Sequence, residues 1–201
     1  MTNSVADSNT TKHIKFDKNA VSRVGRSNQV YSEHTGARLV AGCVCLNKEK
    51  TRVLLVQSTA HKSKWVLPKG GVEKDEYPEF AKTACRETWE EAGVLGTIST
   101  IVDLGIVQDL RPPKHWGNPK AFEQQGNDNN ATAKTITAPP RSEFHFFEMI
   151  VDELVENYPE RGERNRKWFN YEDALKELER AKRPELVEIL KRSSLNVSNH
   201  F

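Results

Sequence analysis

Long apolar runs are missing from this chain, and no stretch approaches the ~20 consecutive apolar residues that a membrane span needs. Cysteine is scarce, with three residues, Cys43, Cys45 and Cys85, too few and too odd in number for a disulfide framework. Cys43 and Cys45 sit two apart on one expected strand and point to the same face, so buried free thiols in a reducing compartment are the simpler reading. Charge of one sign is also lacking. Thirty basic residues stand against 28 acidic ones, a formal net charge of +2. That balance, with four dispersed tryptophans, gives no sign of nucleic-acid binding. No internal repeat is present. The first 25 residues contain Asp7 and Asp17 and have no apolar core of the signal-peptide kind. A protein working inside the cell, in the cytoplasm or in cytoplasm and nucleus both, without membrane or nucleic-acid partners and as a monomer, is therefore expected.

At 201 residues the chain suits one domain able to bury about 70% of its unfolded surface. Residues 1–25, rich in Ser, Asn, Thr and Lys, read as a disordered tail. Residues 38–46 and 52–57 are short apolar, β-branched runs joined by NKEK, which reads as a hairpin. Trp65–Leu67 gives a short strand leading into the glycine pair Gly70–Gly71. A helix is expected from about Pro78 to Ala92, with proline in its first turn. Thr97–Gln108 supplies one or two strands, Glu143–Val151 another and Lys167–Phe169 a last one. Residues 114–138 are polar and loop-like. Tyr171–Ala181 and Pro184–Arg192 read as closing helices, and 193–201 as a C-terminal tail. Strands interrupted by one long helix, with helices at the end, predict an α/β fold, an α/β/α sandwich around a mixed sheet over residues 26–192.

What is present is concentrated between Gly70 and Gly93: GGVEKDEYPEFAKTACRETWEEAG. At about 100° per residue, Glu87, Glu90 and Glu91 fall within an arc of about 100° on one helix. Such an arc offers hard oxygen ligands to Mg²⁺ or Mn²⁺, ions that also coordinate phosphates. It is equally compatible with a solvated acidic face, where like charges cost only ~0.2–0.5 kcal/mol. In a partly closed site, carboxylates ~6 Å apart at an effective dielectric of ~20 repel by roughly 3 kcal/mol per pair, which a cation would offset. The opposite helix face carries Ala81, Ala84, Cys85, Thr88 and Ala92, small residues that let the helix lie close to a sheet.

The flanking residues decide between these readings. The segment resembles a Nudix box, G-x5-E-x7-R-E-U-x-E-E-x-G-U, with Gly70, Glu76, Arg86, Glu87, Trp89, Glu90, Glu91, Gly93 and Val94 in the signature positions. Nine residues separate Glu76 from Arg86 where the signature has seven, which leaves the role of Glu76 open. GARLVAGC, WVLPKGGVEKDE, RETWEEAG, DLRPPK, PPRSEFHF and AKRPEL look like the fungal diphosphoinositol polyphosphate phosphohydrolases. That resemblance implies the Nudix fold and metal-dependent hydrolysis of phosphoanhydrides. The implied substrates are diphosphoinositol polyphosphates, diadenosine polyphosphates (Ap6A, Ap5A) and inorganic polyphosphate.

It also implies roles for particular residues. Glu87 and Glu91, with the Lys69 backbone carbonyl, would bind the divalent cation. Glu90 would be the general base or a further metal ligand. Arg86 would orient a carboxylate of the box, and Gly93 would end its helix. Substrate contacts would come from Arg38, Ser58, Thr59, Ala60, Lys69, Gly70, Gly71, Arg164, Arg166 and Arg183, with Arg26 and Arg141 as looser matches. The three arginines Arg164, Arg166 and Arg183 are expected to act on distal phosphates, away from the metal. Two other functions remain open at this stage: a general pyrophosphatase of nucleoside diphosphate derivatives, and an inert phosphate-sensing module, whose mark would be loss of a box glutamate.

Overall fold

The computed structural model describes residues 22–23, 25–111 and 140–195. The expected loop at 114–138 lies outside the described residues. The elements follow as β1 (Arg38–Leu46), β2 (Val53–Gln57), β3 (Trp65–Val66), β4 (Lys69–Gly71), α1 (Phe80–Ala92), β5 (Val94–Asp109), β6 (Ser142–Leu154), β7 (Arg166–Phe169), α2 (Tyr171–Arg180) and α3 (Pro184–Arg192). One sheet of seven strands runs β3-β2-β1-β6-β5, with β4 also paired to β1 and β7 to β2. The pairing of β1 with β6 is parallel from Arg38–Ser142 to Leu46–Ile150, and the other pairings are antiparallel. The sheet is therefore mixed, as expected.

Strand β1 is buried along nearly its whole length, which explains why it reads as a continuous apolar run instead of an alternating one. Alternate residues of β1 and β6 serve two different layers. Cys43 lies against Cys85 of α1, and His145 stacks on Phe80 at the start of that helix, with ring centroids 3.7 Å apart. On the other parity, Phe144 lies under the Arg183 guanidinium at the head of α3, and Glu148 meets Ser194 just beyond its end. The sheet thus lies between α1 and the α2–α3 pair. All three cysteines are free and buried. No helix among the described residues is long and apolar enough to cross a membrane.

Several boundaries differ from the expectation. Lys69–Gly71 is a strand, not a loop, because it zips onto β1 with Gly42 opposite Lys69 and Ala41 opposite Gly70. Helix α1 starts at Phe80 after Glu79, and Pro78 precedes that cap, with a cis Tyr77–Pro78 peptide. The 94–109 segment is one long strand whose register against β6 shifts three times. Among the described residues, contacts to the domain are made from Ser22, four residues before the expected domain start. Ser22 reaches Glu160, and Arg23 binds Glu73 at 2.7 Å. Leu195, which lies within the expected C-terminal tail, is buried.

That last contact has a buried carboxylate at its centre. Glu148, fully buried on β6, accepts from Lys50 Nζ at 2.9 Å, Ser194 N at 2.8 Å and Ser194 Oγ at 2.6 Å. Burial works against its charge, but the Ser194 and Lys50 bonds prevail and hold its pKa below the usual carboxylate range. Glu148 thereby joins the β1–β2 turn to the chain leaving α3. Glu148→Ala is expected to lower stability by about 1–3 kcal/mol, because Lys50 can return to water while the Ser194 amide loses its acceptor. Urea unfolding of the two proteins checks this.

Candidate active site

Arg86, in the middle of α1, holds the site together. Its Nε donates to Glu76 Oε1 at 2.6 Å and its Nη2 to Glu76 Oε2 at 3.0 Å and to the Gly71 carbonyl at 3.2 Å. Its Nη1 faces Glu87 Oε1 at 2.8 Å and Glu90 Oε2 at 3.3 Å. Burial opposes the Arg86 charge, yet Glu76 and the neighbouring glutamates outweigh it and raise its pKa. The two residues in excess of the signature spacing are absorbed in the turn before α1. Glu76 is buried there and also accepts from Thr83 Oγ1 at 2.6 Å. Its role, open on spacing, is to seat Arg86.

The three glutamates occupy one closed corner. Glu87 lies directly against Gly70, where a Cβ would fall 2.0–2.1 Å from its carboxylate atoms. Any side chain at position 70 would therefore displace Glu87. Glu91 accepts from the Lys69 amide through Oε2 at 3.0 Å and pairs with Arg164 through Oε1 at 3.0 Å. Glu90 is 1% exposed, and its Oε1 has no hydrogen-bond partner among the described residues. Burial raises the pKa of all three, that of Glu87 to about 8, where Arg86 pulls it down and Glu91 and Glu90 push it up. At the far end of the helix, Gly93 adopts φ 59° and its amide caps α1. Its own Cβ would strike the Tyr158 ring.

Cations border this corner on the β1 side. Lys69 is lowered to about 8 by burial and then by Arg183, with Arg164 and Arg38 adding to it against Glu91. Arg38 is lowered by burial and by Arg26, and donates to Gln29 Oε1 at 2.8 Å. Arg183 pairs with the buried Glu185. Arg141 stands at the start of β6, its carbonyl accepting from the Arg38 amide at 3.3 Å. Arg183 thus acts on both Lys69 and Arg38, Arg38 on Lys69, and Arg26 on Arg38. The Ser58, Thr59 and Ala60 loop closes on itself, Ser58 N donating to the Lys64 carbonyl at 2.8 Å, at the sheet end where Gln57 meets Asn165.

Two arginines stand elsewhere than expected. Arg166 donates to the Ala92 carbonyl at 2.7 Å and the Val155 carbonyl at 2.8 Å, with its guanidinium over the Tyr158 ring. It serves the C-terminal end of α1, whose last carbonyls need donors. Arg164 is not remote from the acid cluster either, since it bridges Glu91 and Glu160, the latter at 2.8 Å. Sequence reading also passed over Glu160, Arg23, Ser22 and Gln29. Only Glu160 left a trace, as the partner four residues before Arg164. The other three lie in a segment that composition marks as a tail or its edge.

A model of the NUDIX domain family matches residues 36–190. Diphosphoinositol polyphosphate phosphohydrolase 3-alpha of Homo sapiens is 31% identical over 147 residues, 72% of this chain and 71% of that protein. Diphosphoinositol polyphosphate phosphohydrolase 2 of Rattus norvegicus is 31% identical over 169 residues, 83% of this chain and 76% of that protein. A solved NUDIX hydrolase from Nitrosomonas europaea superposes with a TM-score of 0.54 at 14% identity, covering 78% of this chain and 87% of that one, a likeness of fold alone. The chain belongs to the Nudix family, as one of its hydrolases. Within that family it falls among the diphosphoinositol polyphosphate phosphohydrolases.

Nudix hydrolases use divalent cations, and the residues here suit one. Three carboxylates are held in a corner where burial disfavours their charge, and one oxygen, Glu90 Oε1, is buried without a donor. Among the described residues no three acidic, His or Cys side chains already stand in coordination geometry, and Arg86 and Arg164 each engage one carboxylate oxygen of Glu87 and Glu91.

The raised carboxyl of Glu87 has a consequence for stability. Its folded pKa, about 8, lies above the ordinary 4.5, so the fold prefers it protonated. That contribution is complete below pH 4.5 and is lost as pH rises to about 8. The metal-free protein is therefore expected to lose thermal stability between about pH 6.5 and 8, a window above the lowered His145 and below the rise due to Lys69. Added Mg²⁺ or Mn²⁺ should raise the melting temperature more at the upper end of that window. Melting curves with and without a chelator check both signs.

Proposed function

We propose that this protein hydrolyses phosphoanhydride bonds of diphosphoinositol polyphosphates, and also accepts diadenosine polyphosphates and inorganic polyphosphate. The observation that carries this reading is the contact between two opposite fields. A closed acidic corner of Glu87, Glu90 and Glu91 abuts a cationic border of Arg26, Arg38, Lys69 and Arg183. Names of the relatives support the first substrate class. A phosphate ester this dense in charge needs both halves: acids that bind a cation at the scissile group, and bases that bind the remaining phosphates.

Glu87, Glu91 and the Lys69 backbone carbonyl would hold the divalent cation, Mg²⁺ or Mn²⁺, which supplies charge neutralisation at the diphosphate. The other steps belong to the chain itself. Arg86 keeps Glu87 and Glu90 in place through Nη1. Glu90 Oε1, buried and without a donor, takes the proton of the attacking water as its oxygen bonds to phosphorus. The P–O bond to the leaving phosphate breaks, and that phosphate departs with the bridging oxygen. Arg38, Lys69 and Arg183 orient the substrate through its non-reacting phosphates, with Arg26 and Arg141 at the rim and the Ser58–Ala60 loop and the Gly70–Gly71 backbone as further donors. Arg164 acts through Glu91, and Arg166 is left out of the binding set.

Glu90→Gln is expected to preserve the fold and metal binding while kcat falls by about 10²–10⁴. Near-full rate on every polyphosphate offered would remove Glu90 from the role of base. Arg183→Ala should lower kcat/KM by about 10- to 100-fold, the value of one charge-assisted contact, and mainly through KM. The loss should be larger for an inositol pyrophosphate than for a dinucleotide polyphosphate, and should shrink as salt rises. Parallel steady-state kinetics on the three substrates at two ionic strengths measure it, and equal, salt-independent losses would assign Arg183 to the fold.

A further inference from the structure

We infer that Ser22 and Arg23 are positioning residues for Glu90: they pin one oxygen of its carboxylate so that the other faces the attacking water. This rests on the reading of Glu90 as the base. The contacts on that carboxylate are one-sided. Glu90 Oε2 accepts from Arg23 N at 3.4 Å and Arg86 Nη1 at 3.3 Å, with Ser22 Oγ also 3.4 Å away, whereas Oε1 has no hydrogen-bond partner among the described residues. Each of these contacts is long and individually weak. Arg86 by itself is divided among Glu76, Glu87 and Glu90, and so leaves the terminal torsion of Glu90 loosely set. That torsion is broad and two-fold in a glutamate, so convergence of several donors on one oxygen is what selects an orientation.

The segment carrying these donors is stitched down on both sides. The Arg23 guanidinium binds Glu73 at 2.7 Å and the two Asp75 oxygens at 3.1 and 3.0 Å, in the turn that leads into α1. Asn28 Nδ2 donates to the same Glu73 at 3.0 Å, and the Lys74 amide to the Asn28 carbonyl at 3.0 Å. On the other side, the single Ser22 hydroxyl hydrogen has its shorter contact with Glu160 Oε1, at 3.0 Å, and so anchors the segment there, while the Glu160 amide donates to the Glu90 carbonyl at 3.0 Å. The strap therefore connects the turn before α1 with the loop that bears Arg164, and crosses Glu90 between them. Arg23 touches neither the cationic border nor the corner between Glu87 and Gly70. Of its described contacts, only that of its amide with Glu90 reaches a carboxylate of the acid cluster directly.

The test uses the full chain carrying Arg23→Ala, Arg23→Lys and Ser22→Ala, with Arg23→Ala also placed in Glu90→Gln. Arg23→Ala is expected to lower kcat by about tenfold with KM within about twofold, because misorientation of a base affects the chemical step and not binding. Ser22→Ala should act in the same direction, and Arg23→Lys, which keeps a cation for Glu73 and Asp75, should recover most of the rate. Melting temperatures of the variants should stay within a few degrees. In the Glu90→Gln background, Arg23→Ala should cost nothing further, since the base that it orients is gone. A wild-type rate for Arg23→Ala, a rate increase, a loss confined to KM, or an equal further loss on top of Glu90→Gln would each overturn the strap. Full activity of Glu90→Gln by itself would overturn the base assignment and the strap with it, whereas an inactive Glu90→Gln beside a silent Arg23→Ala removes the strap alone.

Discussion

The site depends on one buried guanidinium. Arg86 reaches in three directions from a single residue of α1: back to Glu76 in the preceding turn, across to the Gly71 carbonyl on β4, and sideways to Glu87 and Glu90. A planar fork of five donors can do this, and a lysine ammonium with three could not keep the same geometry. Because Glu76 takes two of its hydrogen bonds in parallel, the plane of Arg86 is set independently of the Glu87 and Glu90 carboxylates. The positions of Glu87 and Glu90 follow from that plane.

Around it, the site is built against its own electrostatics. Burial favours the neutral forms of Glu87, Glu90 and Glu91 and of Lys69, and the cations Arg38, Lys69 and Arg183 repel one another across a short distance. A structure selected for stability alone would not place like charges so close on both sides. The rest of the molecule supplies the stiffness that holds them. Strand β1 is buried on both faces, β4 is zipped to it, and α1 is capped at its end by Gly93 and by the Arg166 guanidinium. In the proposed function, a cation on one side and phosphates on the other would relieve both repulsions together, and substrate and metal binding would then be tied to each other.

Much of this was legible from residue order. The carboxylate arc of Glu87, Glu90 and Glu91, the apolar hairpin strands and the small-residue face of α1 are local patterns, set by helical and strand periodicity. Other features were not. Lys69–Gly71 reads as a loop because two glycines carry no strand propensity, and it becomes a strand only because β1 offers it partners. Arg166 looks like one more basic residue of a substrate-binding run, and only the position of β7 beside the end of α1 turns it into a helix cap. Ser22 and Arg23 sit in a stretch whose composition suggests disorder, and a few hydrogen bonds to distant carboxylates decide otherwise.

The division has a physical reason. The sequence by itself determined the fold class, the mixed α/β order and the identity of the acids, since these rest on spacings of a few residues along one helix or strand. Helical spacing alone did not separate a solvated acidic face from a site, a choice the flanking residues made, and the sequence left open how closed that site is and which arginines face it. That was decided by tertiary structure, because burial and charge pairing depend on residues brought together from far apart: Gly70 against Glu87, Arg164 and the Lys69 amide on Glu91, and Ser22 and Arg23 on Glu90. The same guanidinium in water and beside a buried carboxylate differs by several kcal/mol in the free energy of its neighbours, and no local pattern in the chain records that difference.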